Sequence, residues 1–212
     1  MQETWKLPAL KATVFAACLI PLAVLAGQAL TNDLGANPID EITDQTGIWT
    51  LRLLLITLAV TPARRLSGWN RLIRLRRMLG LFAFFYGSLH FLTYLWLDQF
   101  FAIEDIIADV RDRPFITVGF TSFMLLIPLA ATSTAAMIKL LGGKWWQRLH
   151  RLVYAIAMGG VVHYLWLVKA DTRQPLLYGA ILAALLGFRL WDMYGHRVWF
   201  GIPFMRKTAV RG

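Results

Sequence analysis

The chain has 212 residues, of which 58% are hydrophobic and only 16% charged, whereas a soluble domain of this size carries about a quarter charged residues. Its net charge of +10 would suit a nucleic-acid partner, but the Lys and Arg lie between long apolar runs, where they report membrane topology and argue against that partner. The single cysteine, Cys18, sits inside an apolar run, which excludes an intramolecular disulfide and any cysteine-built zinc or iron–sulfur site.

The predicted fold class is all-α: one polytopic membrane domain over residues 1–212, built of six transmembrane helices with lipid as solvent. A spanning helix needs about 17–25 residues. The first span runs from Ala12 to Leu30. Ala26 and Ala29 resemble a signal cleavage site, but the apolar run exceeds a usual signal core, so the span is expected to be retained. The second, Ile48 to Ala63, is short and carries Arg52 near its start, a side chain able to snorkel toward the interface. The others run from Met78 to Leu97, Phe115 to Ile138, Leu149 to Val168 and Pro175 to Trp191.

Charge sets the expected orientation. The stretch holding Arg64, Arg65, Arg71, Arg74, Arg76 and Arg77 has no acid, and the stretch with Lys139, Lys144, Arg148 and Arg151 is likewise basic. The tail adds Arg197, Arg206, Lys207 and Arg211. These face the cytoplasm by the positive-inside rule, so both termini are expected there, in a bacterial inner membrane. The acids Asp33, Asp40, Glu41 and Asp44, then Asp98, Glu104, Asp105, Asp109 and Asp112, face outward. In the loop from Asp98 to Pro114, Ile103, Ile106, Ile107 and Val110 recur at helical spacing. They predict a short amphipathic helix on the outer membrane surface, or a surface for a partner.

The histidines carry the chemistry. Ionisable groups inside a membrane are costly and mark function by default, and histidine is a usual axial ligand of haem iron. His90 lies 13 residues beyond Arg77, and His163 lies 15 beyond Arg148. Both are therefore about 20 Å from the cytoplasmic edge at 1.5 Å per residue. Two imidazoles at one depth on separate spans predict a bis-histidine haem b in the outer half of the membrane.

His150 lies 13 residues before His163, at the cytoplasmic edge, where a second haem can stack. The position facing it on the third span is Arg76, with Arg77 beside it. Arg76 can ligate the iron or pair with a haem propionate, and pairing suits a permanently charged guanidinium better. Gly159 and Gly160 offer a bend between His150 and His163. His196 is a weaker candidate. No dinucleotide or phosphate-binding glycine motif occurs, so electrons are expected from a quinol or a separate reductase.

Several motifs in chain order carry a family resemblance. They are Asn37-Pro38, Thr46-Gly47, Thr61-Pro62, Arg76-Arg77-Met78-Leu79-Gly80-Leu81, His90, Arg113-Pro114 and Thr132-Ser133-Thr134 with Met137. The series continues with Trp146-Gln147, Leu149-His150, Val153-Tyr154, His163-Tyr164-Leu165-Trp166, Lys169 and Gln174-Pro175. Together they resemble the MsrQ (YedZ) family, the haem-binding membrane subunits of a bacterial protein-methionine-sulfoxide reductase system, within the ferric-reductase-like transmembrane group. Many members of that group pair four histidines on two helices around two haems. Here Arg76 or Arg77 stands where the fourth would be. The resemblance implies haem b and FMN as cofactors. It implies a periplasmic molybdenum-cofactor partner, MsrP, and electrons from the quinone pool or a cytosolic flavin reductase. On this reading the chain is an electron-transfer subunit rather than an enzyme in its own right. The competing readings are a stand-alone ferric or quinone reductase and a transporter with histidine proton relays.

Overall fold

A computed structural model describes residues 6–168 and 170–199, with side chains described from 7 to 193 apart from 169. In chain order the helices are α1 (Lys6–Leu30), α2 (Pro38–Ser67), α3 (Arg76–Thr93), α4 (Ile103–Asp112), α5 (Pro114–Ala131), α6 (Ala135–Leu141), α7 (Gly143–His150), α8 (Leu152–Leu167) and α9 (Arg173–Trp199). A 3-10 segment, Asn70–Leu75, leads into α3, and a π turn, Tyr94–Asp98, closes it. No strand occurs among the described residues.

Helix α2 starts ten residues before the expected span. Asn37 caps it by accepting from the Asp40 amide at 3.5 Å, Pro38 occupies its first turn, and Asp40 and Glu41 complement the positive end of the dipole. Arg64 and Arg65 sit in the last turn, and Gly68 terminates the helix at φ 69°, a left-handed conformation that glycine adopts without steric cost. Arg52 consequently lies mid-helix. Its Nε donates to the Tyr178 hydroxyl at 2.8 Å, and its guanidinium rests 4.8 Å from the centre of the Trp49 ring. It is fastened within the bundle rather than snorkelling to an interface.

Helix α2 forms the centre of the bundle, touching α1, α3, α8 and α9. Leu51, Leu53, Leu54, Leu55 and Leu58 are buried along it. Ala83 and Ala157 are fully buried, small residues that bring α3 and α8 close to their neighbours. Helix α1 is docked through a buried tyrosine. The Tyr86 hydroxyl donates to the Cys18 carbonyl at 2.8 Å and accepts from the Leu22 amide at 3.1 Å. It thus bridges the two groups of one i to i−4 pair, directly beside Pro21, where the helix ladder lacks a donor.

Two expected spans have different bounds. The run from Phe115 to Ile138 is broken: α5 ends at Ala131, where the Thr132 and Ser133 hydroxyls bond back to the carbonyls of Pro128 and Leu129. Thr134 is extended and caps α6 by accepting from the Met137 amide at 3.1 Å. Threonine and serine offer the backbone alternatives to the helix ladder, and here they end one helix and start another. The run from Leu149 to Val168 breaks at Arg151, where i to i−3 bonds (Arg151 to Arg148, Tyr154 to Arg151) form a tight turn. Gly159 and Gly160 lie inside the continuous α8. Their missing side chains admit Ser122 and Leu51 from the facing helices.

By length and composition, five described segments can cross a membrane: Leu7–Leu30, Pro38–Ser67, Asn70–Asp98, Pro114–Ala131 and Arg173–Met193. Helix α8 has 16 residues, about 24 Å at 1.5 Å per residue. The amphipathic helix expected outside is α4, with Ile106 and Val110 turned inward and Ile103 and Ile107 exposed. The side chain of His196, together with Lys169 and the basic tail at Arg197, Arg206, Lys207 and Arg211, lies outside the described residues.

Candidate functional site

Helices α3 and α8 bring His90 and His163 together edge to face, with ring centres 6.1 Å apart and planes at 76°. Each ring is fixed in the same way by a different helix. His90 Nδ1 donates to the Thr43 carbonyl of α2 at 2.9 Å. His163 Nδ1 donates to the Phe115 carbonyl of α5 at 2.7 Å. A carbonyl only accepts, so the proton is on Nδ1 and the lone pair is left on Nε2. This is the outer hydrogen bond by which a metal-binding histidine has its tautomer and ring orientation set.

A glycine lies one turn beyond each accepting carbonyl. A Cβ on Gly47 would stand 3.0 Å from Cε1 and Nδ1 of His90, and one on Gly119 only 2.7 Å from Nδ1 of His163. Each imidazole therefore lies against bare helix backbone. The sequence shows both glycines, and Thr46-Gly47 belongs to the family motif, but only the packing reveals what they face.

The rings open on a cavity of about 320 Å³. Its walls include Leu51, Leu54, Phe91, Phe120, Phe123, Leu126 and Ile156. Phe91 and Phe123 stack at 4.7 Å. One end is polar, with Asp44, Tyr94, Asp98 and Arg113. Arg113 Nε pairs with Asp109 at 3.1 Å, and Tyr94 and Gln99 donate to the same carboxylate at 3.3 and 3.1 Å.

The donor set fits haem. An imidazole nitrogen binds a first-row metal at about 2 Å, so two rings with centres 6.1 Å apart are near enough that one iron could be held by both. The walls are mainly apolar and aromatic, with a few polar side chains and the charged ones gathered at one end, as in pockets for largely apolar cofactors.

His150 and Arg76 do not line this cavity. His150 ends α7. Its ring stacks on Trp146 at 3.9 Å, and its Nε2 lies 3.1 Å from the Thr132 hydroxyl. That hydroxyl also donates to the Pro128 carbonyl at 2.6 Å, which makes His150 Nε2–H the donor between the two. The Trp146 indole donates to the Thr132 carbonyl at 2.9 Å. Arg76, half-buried at the start of α3, lies within electrostatic range of His150 and of Arg189. Arg76 and His150 thus sense each other's charge, but His150 does not present a free Nε2 lone pair as the outer pair does.

Residues 46–161 match the family described as "Ferric reductase like transmembrane component". The chain is 58% identical over 188 residues to a protein of Herminiimonas arsenicoxydans, covering 88% of this chain and 86% of that one. It is 56% identical over 186 residues to one of Azospira oryzae, with coverage of 87% and 80%. It is 51% identical over 208 residues to one of Ralstonia nicotianae, with coverage of 97% and 92%. Each relative is named protein-methionine-sulfoxide reductase heme-binding subunit MsrQ.

Proposed function

We propose a function from a firm premise, that the chain belongs to the MsrQ family of ferric-reductase-like transmembrane proteins. It is the haem-binding, electron-transfer subunit of a methionine-sulfoxide reductase system. His90 and His163 hold haem b by their Nε2 atoms. Electrons come from the quinone pool or a cytosolic flavin reductase on the basic side. They leave toward a periplasmic MsrP partner on the acidic side. The observation that carries this reading is the pair of Nδ1-anchored imidazoles 6.1 Å apart.

When bound, the haem supplies a one-electron couple. The protein does the rest. With both His90 and His163 holding the iron, no position would be left for substrate, which would suit electron transfer. The bonds to Thr43 and Phe115 hold the rings in place, and the apolar walls exclude water. Arg113 and Tyr94 keep the acidic end polar. At the other end His150 and Arg76 serve as contacts for an inner cofactor, with Arg76 complementing a carboxylate or phosphate.

The test is haem content. Purified protein is expected to show a b-type Soret band that His90→Ala or His163→Ala removes almost entirely. Full haem content in both variants would overturn the assignment. His150→Ala is expected to leave the outer bis-histidine spectrum intact. A pyridine haemochrome count then distinguishes the roles at the inner end. One haem per chain makes His150 a contact, and two make it a ligand that exchanges its bond to Thr132. Reduction of the partner with and without this subunit separates a dedicated delivery role from a stand-alone reductase.

A further inference from the structure

The arginines at the basic end of α2 and α9 are more than topology signals. Arg64, Arg65, Leu66, Asn70, Trp191 and Asp192 are among the residues lining a second cavity of about 540 Å³. Arg64 donates from Nη1 to the Asn70 side chain at 3.2 Å, yet its Nε is buried with no hydrogen-bond partner. The buried Nε of Arg189, one turn from the cavity wall, is in the same condition.

Charge is equally unbalanced. Arg65 and Arg76 both act electrostatically on Arg189. Asp192, paired with Arg65, is the acid lining the cavity. The sequence has no acid between Ala63 and Met78 or between Ile138 and Leu152. A positive-inside signal requires basic residues in a loop. It does not require them gathered round a cavity with buried donors unsatisfied, which is costly in a low dielectric.

The walls point to the class of anion that would fit here. Phe188 and Trp191 meet edge to face at 6.0 Å, and Trp191 is 71% exposed. Aromatic rings of this kind mark the level of the headgroups. Basic pockets between transmembrane helices on the cytoplasmic side take anionic lipid headgroups. We propose that this cavity is a binding site for the phosphate diester of an anionic phospholipid, gripped by Arg64 with Asn70 behind it and flanked by Trp191. The chemistry recognised is a phosphate oxyanion. The position beside exposed apolar side chains at the lipid boundary favours a lipid over a soluble phosphate. The inference stands apart from the haem assignment.

The experiment uses the full chain in detergent, titrated with dioleoyl phosphatidylglycerol or dioleoyl phosphatidylcholine and read by native mass spectrometry. Preferential retention of phosphatidylglycerol is expected, with Arg64→Lys retaining it about tenfold less, since a bond to a charged group is lost while the charge stays. Arg74→Gln, which removes an exposed charge from the same face, is expected to change retention much less. Equal binding by wild type and Arg64→Lys, or equal losses in Arg64→Lys and Arg74→Gln, would reduce the effect to diffuse charge and overturn the site. Displacement of the lipid by millimolar glycerol 3-phosphate would reassign the cavity to a soluble phosphate and overturn the lipid assignment. An unchanged Soret band and melting temperature in Arg64→Lys confirm that the comparison is between folded proteins.

Discussion

At the scale of single residues, the site depends on two imidazoles whose tautomer is imposed by backbone carbonyls and whose position is permitted by two glycines. The clearest test is the smallest side chain. In Gly119→Ala the new Cβ falls 2.7 Å from His163 Nδ1, closer than real side chains approach, so the ring must leave the Phe115 carbonyl. Haem content is expected to fall nearly as far as in His163→Ala. Gly47→Ala, with its closest contact at 3.0 Å, should cost less, and haem-to-protein ratios measured side by side would show the order. If both alanine variants keep full haem, the rings are not held as described. His90 and His163 were legible in the sequence because charged residues mark where each span begins, so counting residues gives depth. Their anchors were not, since no spacing says which carbonyl and which glycine face a ring from another helix. The spacing of 13 between His150 and His163 is awkward for a straight helix, and Gly159 and Gly160 offer a bend between them. The chain instead turns at Arg151, through two local hydrogen bonds that side-chain periodicity does not reveal.

At the scale of helices, apolar runs located the elements but not their ends. The run from Phe115 to Ile138 is continuous in hydropathy, yet Thr132, Ser133 and Thr134 divide it, because hydroxyls satisfy the last carbonyls of α5 and the first amides of α6. Replacing Thr134 with Ala is expected to fray α6 and cost about 1 kcal/mol, the usual value of an N-cap, as a lowered thermal midpoint in detergent. The docking of α1 is open to a sharper test. Tyr86 is 1% exposed and its hydroxyl bridges Leu22 and Cys18 across the Pro21 turn. Tyr86→Phe leaves a buried amide and carbonyl to find each other, and the expected loss is about 1–3 kcal/mol. Pro21→Ala in the same background should recover part of it, because a restored helical amide lets the turn close on itself. An unchanged midpoint in Tyr86→Phe would mean that α1 is held by apolar contact alone.

At the scale of the whole molecule, the number of crossings depends on α8, the shortest helix at the site. Its two ends are fixed against features of α5. His150, just before α8, reaches Thr132 at the end of α5, and His163, near the far end of α8, bonds Phe115 at the start of α5. The two helices are therefore antiparallel and traverse the same thickness. Since α5 is long and apolar enough to cross a membrane, we propose that α8, which runs antiparallel beside it, crosses with it despite its 16 residues. Helix α7, just before α8, carries Lys144 and Arg148. Six crossings would put both termini on one side, with the acidic loop at Asp98 to Pro114 and the short loop at Asp171 on the other. Reporter fusions decide the matter. Alkaline phosphatase joined after Gln99 and after Asp171 is expected to be active, because six crossings would place both points outside. The same enzyme joined after Gly142 is expected to be inactive. Inactivity after Asp171 together with activity after Gln99 would remove α8 from the membrane. His163 would then lose its depth, and the shared level of the two histidines, on which the electron path rests, would have to be explained without a sixth span.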